Sequence, residues 1–282
     1  MTRPTVQNPA GSPAATRVKA DRSLSWPLLA WTIIVAILLL APTLVVIPMS
    51  FGSTESFVFP PKDWSIRWYV NFFTSPEWMG SLWNSVQVGF LSAALATIVG
   101  VAGAIGLDRT RFRGKAALRG GLMAPQIVPG IVVAVAIYIA FLPMQLTGTM
   151  LGFVVAHAVI GVPFVIISVS TSLAGYDKMV ETASASLGAG PWVTFRRVTL
   201  PLLMPGVLSG FVFAFVSSFE EVVIALFLQT PDLRTLPVQM YNSITLQIDP
   251  TIAAASSLIV VTTTAVLLLV QLGSNRKKEI PS

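Results

Sequence analysis

The chain contains no cysteine, which excludes disulfide frameworks, thiolate metal centres and cysteine nucleophiles. It has one histidine, His157, too few for a histidine-built metal site within a single chain. Charge is scarce as well: Asp, Glu, Lys and Arg make up 11% of the 282 residues, where a soluble domain carries about 25%. What it has instead is apolar sequence, 54% of the total, gathered into runs long enough to cross a hydrocarbon core, which takes ~20 helical residues. Backbone polar groups in lipid must be satisfied within their own segment, so such runs are helices. The composition describes an all-α, polytopic membrane protein.

Six runs are expected to span, at about 26–49, 83–107, 120–142, 150–174, 202–228 and 251–272. Their flanks orient them, because Lys and Arg gather on the cytoplasmic side. One side takes Arg3, Arg17, Lys19 and Arg22 before the first run, then Arg109, Arg111, Arg113, Lys115 and Arg119 after the second. Lys178, Arg196 and Arg197 follow the fourth run on that side, and Arg276, Lys277 and Lys278 follow the sixth. Of the 18 Lys and Arg residues, only Lys62, Arg67 and Arg234 fall on the other side. Both termini are therefore expected in the cytoplasm, and the net charge of +6 reads as a topology signal rather than a nucleic-acid footprint. Residues 1–25, rich in Pro, Ala, Ser and basic groups, are expected to be a disordered cytoplasmic tail, and 276–282 a shorter one. A basic stretch before an apolar run also describes a signal peptide. At about 22 residues, however, the run exceeds the usual ~7–15, and no small-x-small site clearly ends it, so it is taken as an uncleaved span.

Outside, residues 51–82 hold Trp64, Trp68, Tyr69 and Trp78, a set suited to the headgroup level and equally to a partner's landing surface. Gly100, Gly103 and Gly106 recur at intervals of three, while Gly148 with Gly152 and Gly206 with Gly210 form G-x-x-x-G pairs; such spacing lets helix backbones approach closely in lipid. Pro125, Pro129, Pro163 and Pro205 lie in or near spans and are expected to kink them.

Glu220 and Glu221 fall past the middle of the fifth run. A carboxylate at such depth costs roughly 2.5–3.5 kcal/mol, so each should face the bundle interior, water or a partner. Two roles stay open: lining a path for a cationic solute, or a structural bond at the outer mouth. His157 is either a helix–helix hydrogen-bonding group or a proton relay. Tyr138, Gln126 and Asn84 are further polar groups within spans, and Asp108 with Arg109 reads as a solvated helix end.

The inner loop at 175–201 is built differently. Asp177 is placed to cap a helix over 178–187. The sequence Gly188-Ala189-Gly190-Pro191 breaks that helix and starts another, expected over 192–199, which carries Arg196 and Arg197 and leads into Leu200-Pro201. This pattern resembles the EAA loop of ABC-importer permeases, E-A-A-x3-G-x9-I-x-L-P. Gly188 takes the glycine, Val198 stands where isoleucine is usual, and Leu200-Pro201 match the ending. Thr182-Ala183-Ser184 then fall on E-A-A, so Ala183 alone is kept and Glu181 lies one position upstream. The stretches "DWSIRWYVNFFTSPEWMGSLWNSVQVG" and "SFEEVVIALFLQTPDLRTLPVQMYNSITLQIDPTIAAASSLIV" resemble the second permease component of spermidine/putrescine-type transporters, a resemblance that covers nearly all of residues 26–275.

The resemblance implies six helices of the type I ABC-importer permease architecture in a bacterial inner membrane. It implies a second homologous permease chain in a heterodimer, two ATPase subunits holding ATP and Mg, and a periplasmic solute-binding protein. The coupling loop would include Glu181, Ala183, Gly188, Gly190, Pro191, Arg196, Arg197, Leu200 and Pro201. No phosphate-cradling G-x-x-x-x-G-K-[ST] is present: Gly114-Lys115 has Arg109 where the first glycine belongs. Hydrolysis is therefore expected on a separate subunit, with no cofactor, metal or catalytic residue on this chain. The implied solute is a polyamine such as spermidine or putrescine, although the same branch carries opines, aminobutyrate and phosphonates. A secondary carrier would call for ionisable relays in several spans and an internal repeat; a serine protease would call for a G-x-S-x-G. Neither pattern is found.

Overall fold

The computed structural model describes residues 26–246 and 248–276, with side chains through Ala265. The two tails and the charges assigned to residues 1–25 and 277–282 lie outside the described residues. Residues through Val45 form one compact unit and those from Val46 onward another. In the first unit lies most of α1 (Trp26–Met49), an apolar helix of 24 residues.

The second unit holds α2 (Arg67–Thr74), α3 (Pro76–Arg109), α4 (Lys115–Ile127), α5 (Gly130–Phe141) and α6 (Met150–Ala174). After these come α7 (Met179–Ser186), α8 (Pro191–Thr194), α9 (Leu200–Glu220), α10 (Val223–Leu228), α11 (Leu236–Thr245) and α12 (Thr251–Arg276). No strand occurs among the described residues. Among the described residues, four helices are long and apolar enough to cross a membrane: α1, α3, α6 and the continuous run Pro191–Glu220. The bent pair α4–α5 makes a fifth if counted as one span. α12 has 26 residues, with a shorter described apolar stretch at Thr251–Ala265.

Local chemistry explains the boundaries. Ser75 caps α3, its hydroxyl facing the Trp78 N–H, and Pro76 occupies the first turn, where its missing N–H costs nothing. The helix therefore begins well before residue 83 and runs 34 residues, roughly 50 Å. The Thr149 hydroxyl accepts from Gly152 N–H at 3.1 Å to start α6. Pro129 does more than kink the third run. It forces Val128 into extended backbone (ψ 135) and has no N–H for the Pro125 carbonyl, so α4 and α5 meet at 107°. Pro125, Pro163 and Pro205 stay inside continuous helices.

The core forms where α3, α6 and α9 pack along one another, and most of its buried residues are small, Ala93, Ala96, Ala104, Ala158, Val165, Val169 and Ala214, beside the larger Leu107, Ile166, Leu173 and Leu203. A Cβ added at Gly100 would lie 2.6 Å from the Val165 Cβ, and one at Gly210 would lie 2.9 Å from the Val165 Cα. Both glycines thus hold backbone against α6. Gly206 does the same against Ser168 and Ser172, whereas Gly106 faces open space. Gly148 and Gly152 are not a helix-contact pair. Gly148 is a turn residue at φ +72, and a Cβ at Gly152 would strike the Leu146 carbonyl of the preceding turn. A second cluster (Val88, Ala134, Phe153, Ile224, Leu228, Val238) joins α5, α6, α10 and α11 to α3. A third (Phe72, Trp78, Leu236, Ile252) fixes α2, α11 and the start of α12.

Candidate functional site

The loop after α6 folds as a helix, a sharp break and a second helix. Asp177 Oδ1 accepts from the Met179 N–H at 2.9 Å to start α7. Its last turn closes through Gly188 N–H to Ala185 O (2.9 Å) and Ala189 N–H to Ser184 O (3.2 Å). Gly188 sits at φ +84, a conformation costing an L side chain roughly 1–2 kcal/mol. Gly190 is extended and Pro191 opens α8. The second arm is not the separate short helix expected over 192–199. It continues through a π-helical turn, Phe195–Thr199, into α9. The reason lies in Pro201, which offers no N–H to the preceding ladder and would crowd a carbonyl four residues back. The ladder widens just before it, with Leu200 N–H bonding to Phe195 O.

Glu181 ties this loop down. Its Oε1 accepts from Arg109 at the end of α3 (2.5 Å) and from the Thr199 hydroxyl in the π turn (2.6 Å). One turn away, Lys178 pairs with Asp108 at 2.8 Å. The two arms are joined by the Ser184 and Thr194 hydroxyls, 3.1 Å apart. Thr199 is fully buried and Thr194 nearly so. Burial pushes the Tyr176 phenol above its ordinary pKa; the neighbouring Glu181 pushes the same way, while Thr199 and Arg109 oppose. Asp108 and Arg109, exposed as expected of a helix end, also tie that end to the loop through these two ion pairs. The sequence does contain a signal for this: Asp108-Arg109 faces a Lys178…Glu181 pair whose three-residue spacing puts both charges on one helix face. Of the other residues assigned to the loop, Ala183, Gly188, Gly190, Pro191, Arg196, Arg197 and Pro201 are exposed and Leu200 is half-buried. Met179, Val180, Leu187, Trp192 and Val193 are exposed apolar residues around the same break.

The second candidate region departs from expectation in its backbone. The fifth run is not one helix to Leu228: α9 stops at Glu220, Glu221 is extended (ψ 119), and α10 begins at Val223. Glu220 is exposed and Glu221 half-buried, so the two acids face different surroundings. Glu221 Oε1 accepts from the Ile224 N–H at 2.9 Å, capping α10. It also lines a cleft of about 420 Å³ bounded by Gln126 and Val128, where α4 ends, and by Gly130, Phe164 and Ser217. Two broken helices therefore meet at one cavity. His157 is fully buried on α6, with Nδ1 2.8 Å from the Ser218 hydroxyl and 3.2 Å from its carbonyl. That contact joins two helices. Gln126 lines the cleft, the Tyr138 ring lies tilted against that of Phe227, and Asn84 donates to the Arg234 carbonyl.

Comparison with known proteins matches residues 96–279 to the family described as binding-protein-dependent transport system inner membrane component. The chain is 31% identical over 216 residues to the spermidine/putrescine transport system permease protein PotC of Escherichia coli (strain K12), covering 76% of this chain and 80% of that protein. It is 30% identical over 235 residues to the putrescine transport system permease protein PotI of the same strain, covering 79% and 83%. In fold it is similar to a chain of a bacterial ABC transporter involved in alginate import, with TM-score 0.68, 17% identity and coverage of 95% and 99%. With the family match spanning more than half of its length, the chain belongs to the binding-protein-dependent transport system inner membrane components, the permeases of ABC importers.

Proposed function

We propose that this chain is one six-span half of the membrane pathway in an ATP-driven importer, with both termini cytoplasmic, and that loop 175–201 receives the stroke of a separate ATPase subunit. The observation that carries this reading is the anchoring of the loop. Glu181 binds it at once to the end of α3 and to the base of α9, while Met179, Leu187 and Trp192 stay exposed at the break. An apolar, bent lever with a fixed inner side suits docking into a groove on a partner. A surface helix resting on headgroups needs neither the Gly188 turn nor the ties to two different helices. A homologous second permease, two ATPase subunits with ATP and Mg, and a solute-binding protein at the outer segments 51–82 and 230–250 complete the assembly. Alternating access follows when the two inner loops are drawn together.

For the solute we propose a polyamine. The support is the similarity to PotC and PotI together with a carboxylate, Glu221, on a cleft formed by two helix breaks, a feature typical of transport sites within membranes. The test is ATP-dependent uptake of labelled putrescine and spermidine by proteoliposomes holding this chain with its partner permease, ATPase and binding protein. Uptake of either one supports the reading. ATP-driven uptake of an aminoalkylphosphonate alone would overturn the solute, and uptake without ATP would overturn the importer. In the same assembly Arg196→Glu should uncouple hydrolysis from solute while leaving the chain inserted; unchanged solute-stimulated hydrolysis would remove that arginine from the docking face.

A further inference from the structure

A helix that stops inside an apolar environment leaves carbonyls without partners at the end of one segment and N–H groups without partners at the start of the next. Each such group costs several kcal/mol in hydrocarbon. The α9–α10 break has this problem, and no proline or glycine lies within residues 211–228 to explain why the chain breaks there. On the α10 side, Glu221 accepts from Ile224 N–H. On the α9 side, the Ser218 carbonyl receives only a long 3.4 Å contact from the Glu221 N–H. Its remaining close neighbour is the His157 Nδ1 from α6.

We infer that His157 is the positioning residue of this site: its Nδ1–H caps the end of α9 from the neighbouring helix, holds the break open, and so keeps the Glu221 carboxylate on the cleft. Nδ1 stands 2.8 Å from the Ser218 hydroxyl and 3.2 Å from the Ser218 carbonyl; on this proposal it carries the hydrogen, shared between the two oxygens, and Nε2 holds the lone pair. Nε2 is buried and meets no hydrogen-bonding group of the protein among the described residues. Phe153 packs against the ring at 5.9 Å between centroids, and Ser218 is itself buried, which leaves little room for a water to replace the donor. The inference rests on the permease reading for its functional consequence, while the cap itself stands on the contacts alone.

The two ring nitrogens allow a discriminating test. The Asn side-chain amide reaches the position of Nδ1, whereas the Gln amide reaches that of Nε2. Because the chain has no cysteine, Val222→Cys gives a single thiol at the break whose rate of maleimide labelling reports its opening. In the assembled transporter, His157→Asn should keep labelling and subsaturating polyamine uptake within about twofold. His157→Gln and His157→Ala should slow both by about tenfold, the effect of losing one buried hydrogen bond. Thermal unfolding of each variant in detergent identifies any that fails to fold, and the Asn–Gln contrast is then read on the folded ones. Equal behaviour of Asn and Gln, or unchanged labelling in all three, would overturn the cap. Slowed labelling in Gln and Ala with normal uptake would overturn its role in transport. Absence of ATP-driven uptake in the otherwise unaltered assembly would instead remove the permease reading and leave the cap to be judged on labelling.

Discussion

Replacing Glu181 by alanine perturbs the loop through two bonds of different worth. The Arg109 pair is short, 2.5 Å, but its side chains are 45% and 23% exposed, so screening limits it to about 1 kcal/mol. The Thr199 hydroxyl is fully buried and donates to a charged acceptor at 2.6 Å, worth about 1.5–3 kcal/mol. Part of that loss is recovered when the freed hydroxyl turns to a carbonyl of its own helix, so together about 2 kcal/mol should disappear. This corresponds to a rise of about 30-fold in the local opening of α7. Glu181→Gln keeps an acceptor for Thr199 and loses only the charge, for which about fivefold is expected. Hydrogen exchange over Met179–Ser186 in the detergent-solubilised chain measures both. In the full assembly, solute-stimulated ATP hydrolysis should fall in the same order, Ala below Gln. A double cycle with Arg109→Ala separates the two bonds, since the pair contributes only to the coupling term. Exchange in Glu181→Ala as slow as in the unaltered chain would refute the idea that this carboxylate fastens the loop.

Two further outcomes follow from the geometry. Glu221→Gln preserves an acceptor for the Ile224 N–H and removes the charge from the cleft, so polyamine uptake at subsaturating solute should fall about tenfold with little change in unfolding temperature. Glu220→Gln, at an exposed position, should leave uptake nearly intact, and the reverse ranking would show that the path runs on the other side of the break. Gly210→Val should destabilise the bundle by about 1–3 kcal/mol through overpacking against Val165, read as a lower unfolding temperature in detergent.

The parts of this architecture that depend on local chemistry are legible in the sequence. Apolar length marks α1, α3 and α6, and the Gly188-Ala189-Gly190-Pro191 run marks the bend of the inner loop because only certain residues tolerate that backbone. Pro129 is visible as a disturbance, yet its size is not, because the 107° turn depends on what α5 then packs against. Partners 72 residues apart, such as Arg109 and Glu181, leave only a faint trace in their charge order. The α9–α10 break leaves none of its own. Its cause is a donor on another helix, and the residues around it, "VSSFEEVV", read locally as the continuation of a span. Two carboxylates there drew attention for the right physical reason, the cost of charge in lipid. Only the backbone separates Glu221, turned to the cleft, from Glu220, turned out.

On the proposed reading, the two regions are the two ends of one lever. α9 spans 21 residues, about 30 Å, from the π turn held by Glu181 to the carbonyl held by His157. Between those ends it lies against α6 with no side chain at Gly206 or Gly210 to act as a cushion, and α3 closes on the same face of α6 at Gly100. Helices in backbone contact slide or bend little relative to each other, because close-packed interiors transmit strain rather than absorb it. A displacement applied at the inner loop therefore enters α3 and α9 together and carries α6 with them. The deformation must be taken up where the backbone ladder is already interrupted, at the α4–α5 elbow and the α9–α10 break. Those are the two discontinuities that line the cleft. A tie at one end and a break at the other place the change of shape at the cavity rather than along the spans, as an importer that opens its pathway to alternate sides requires.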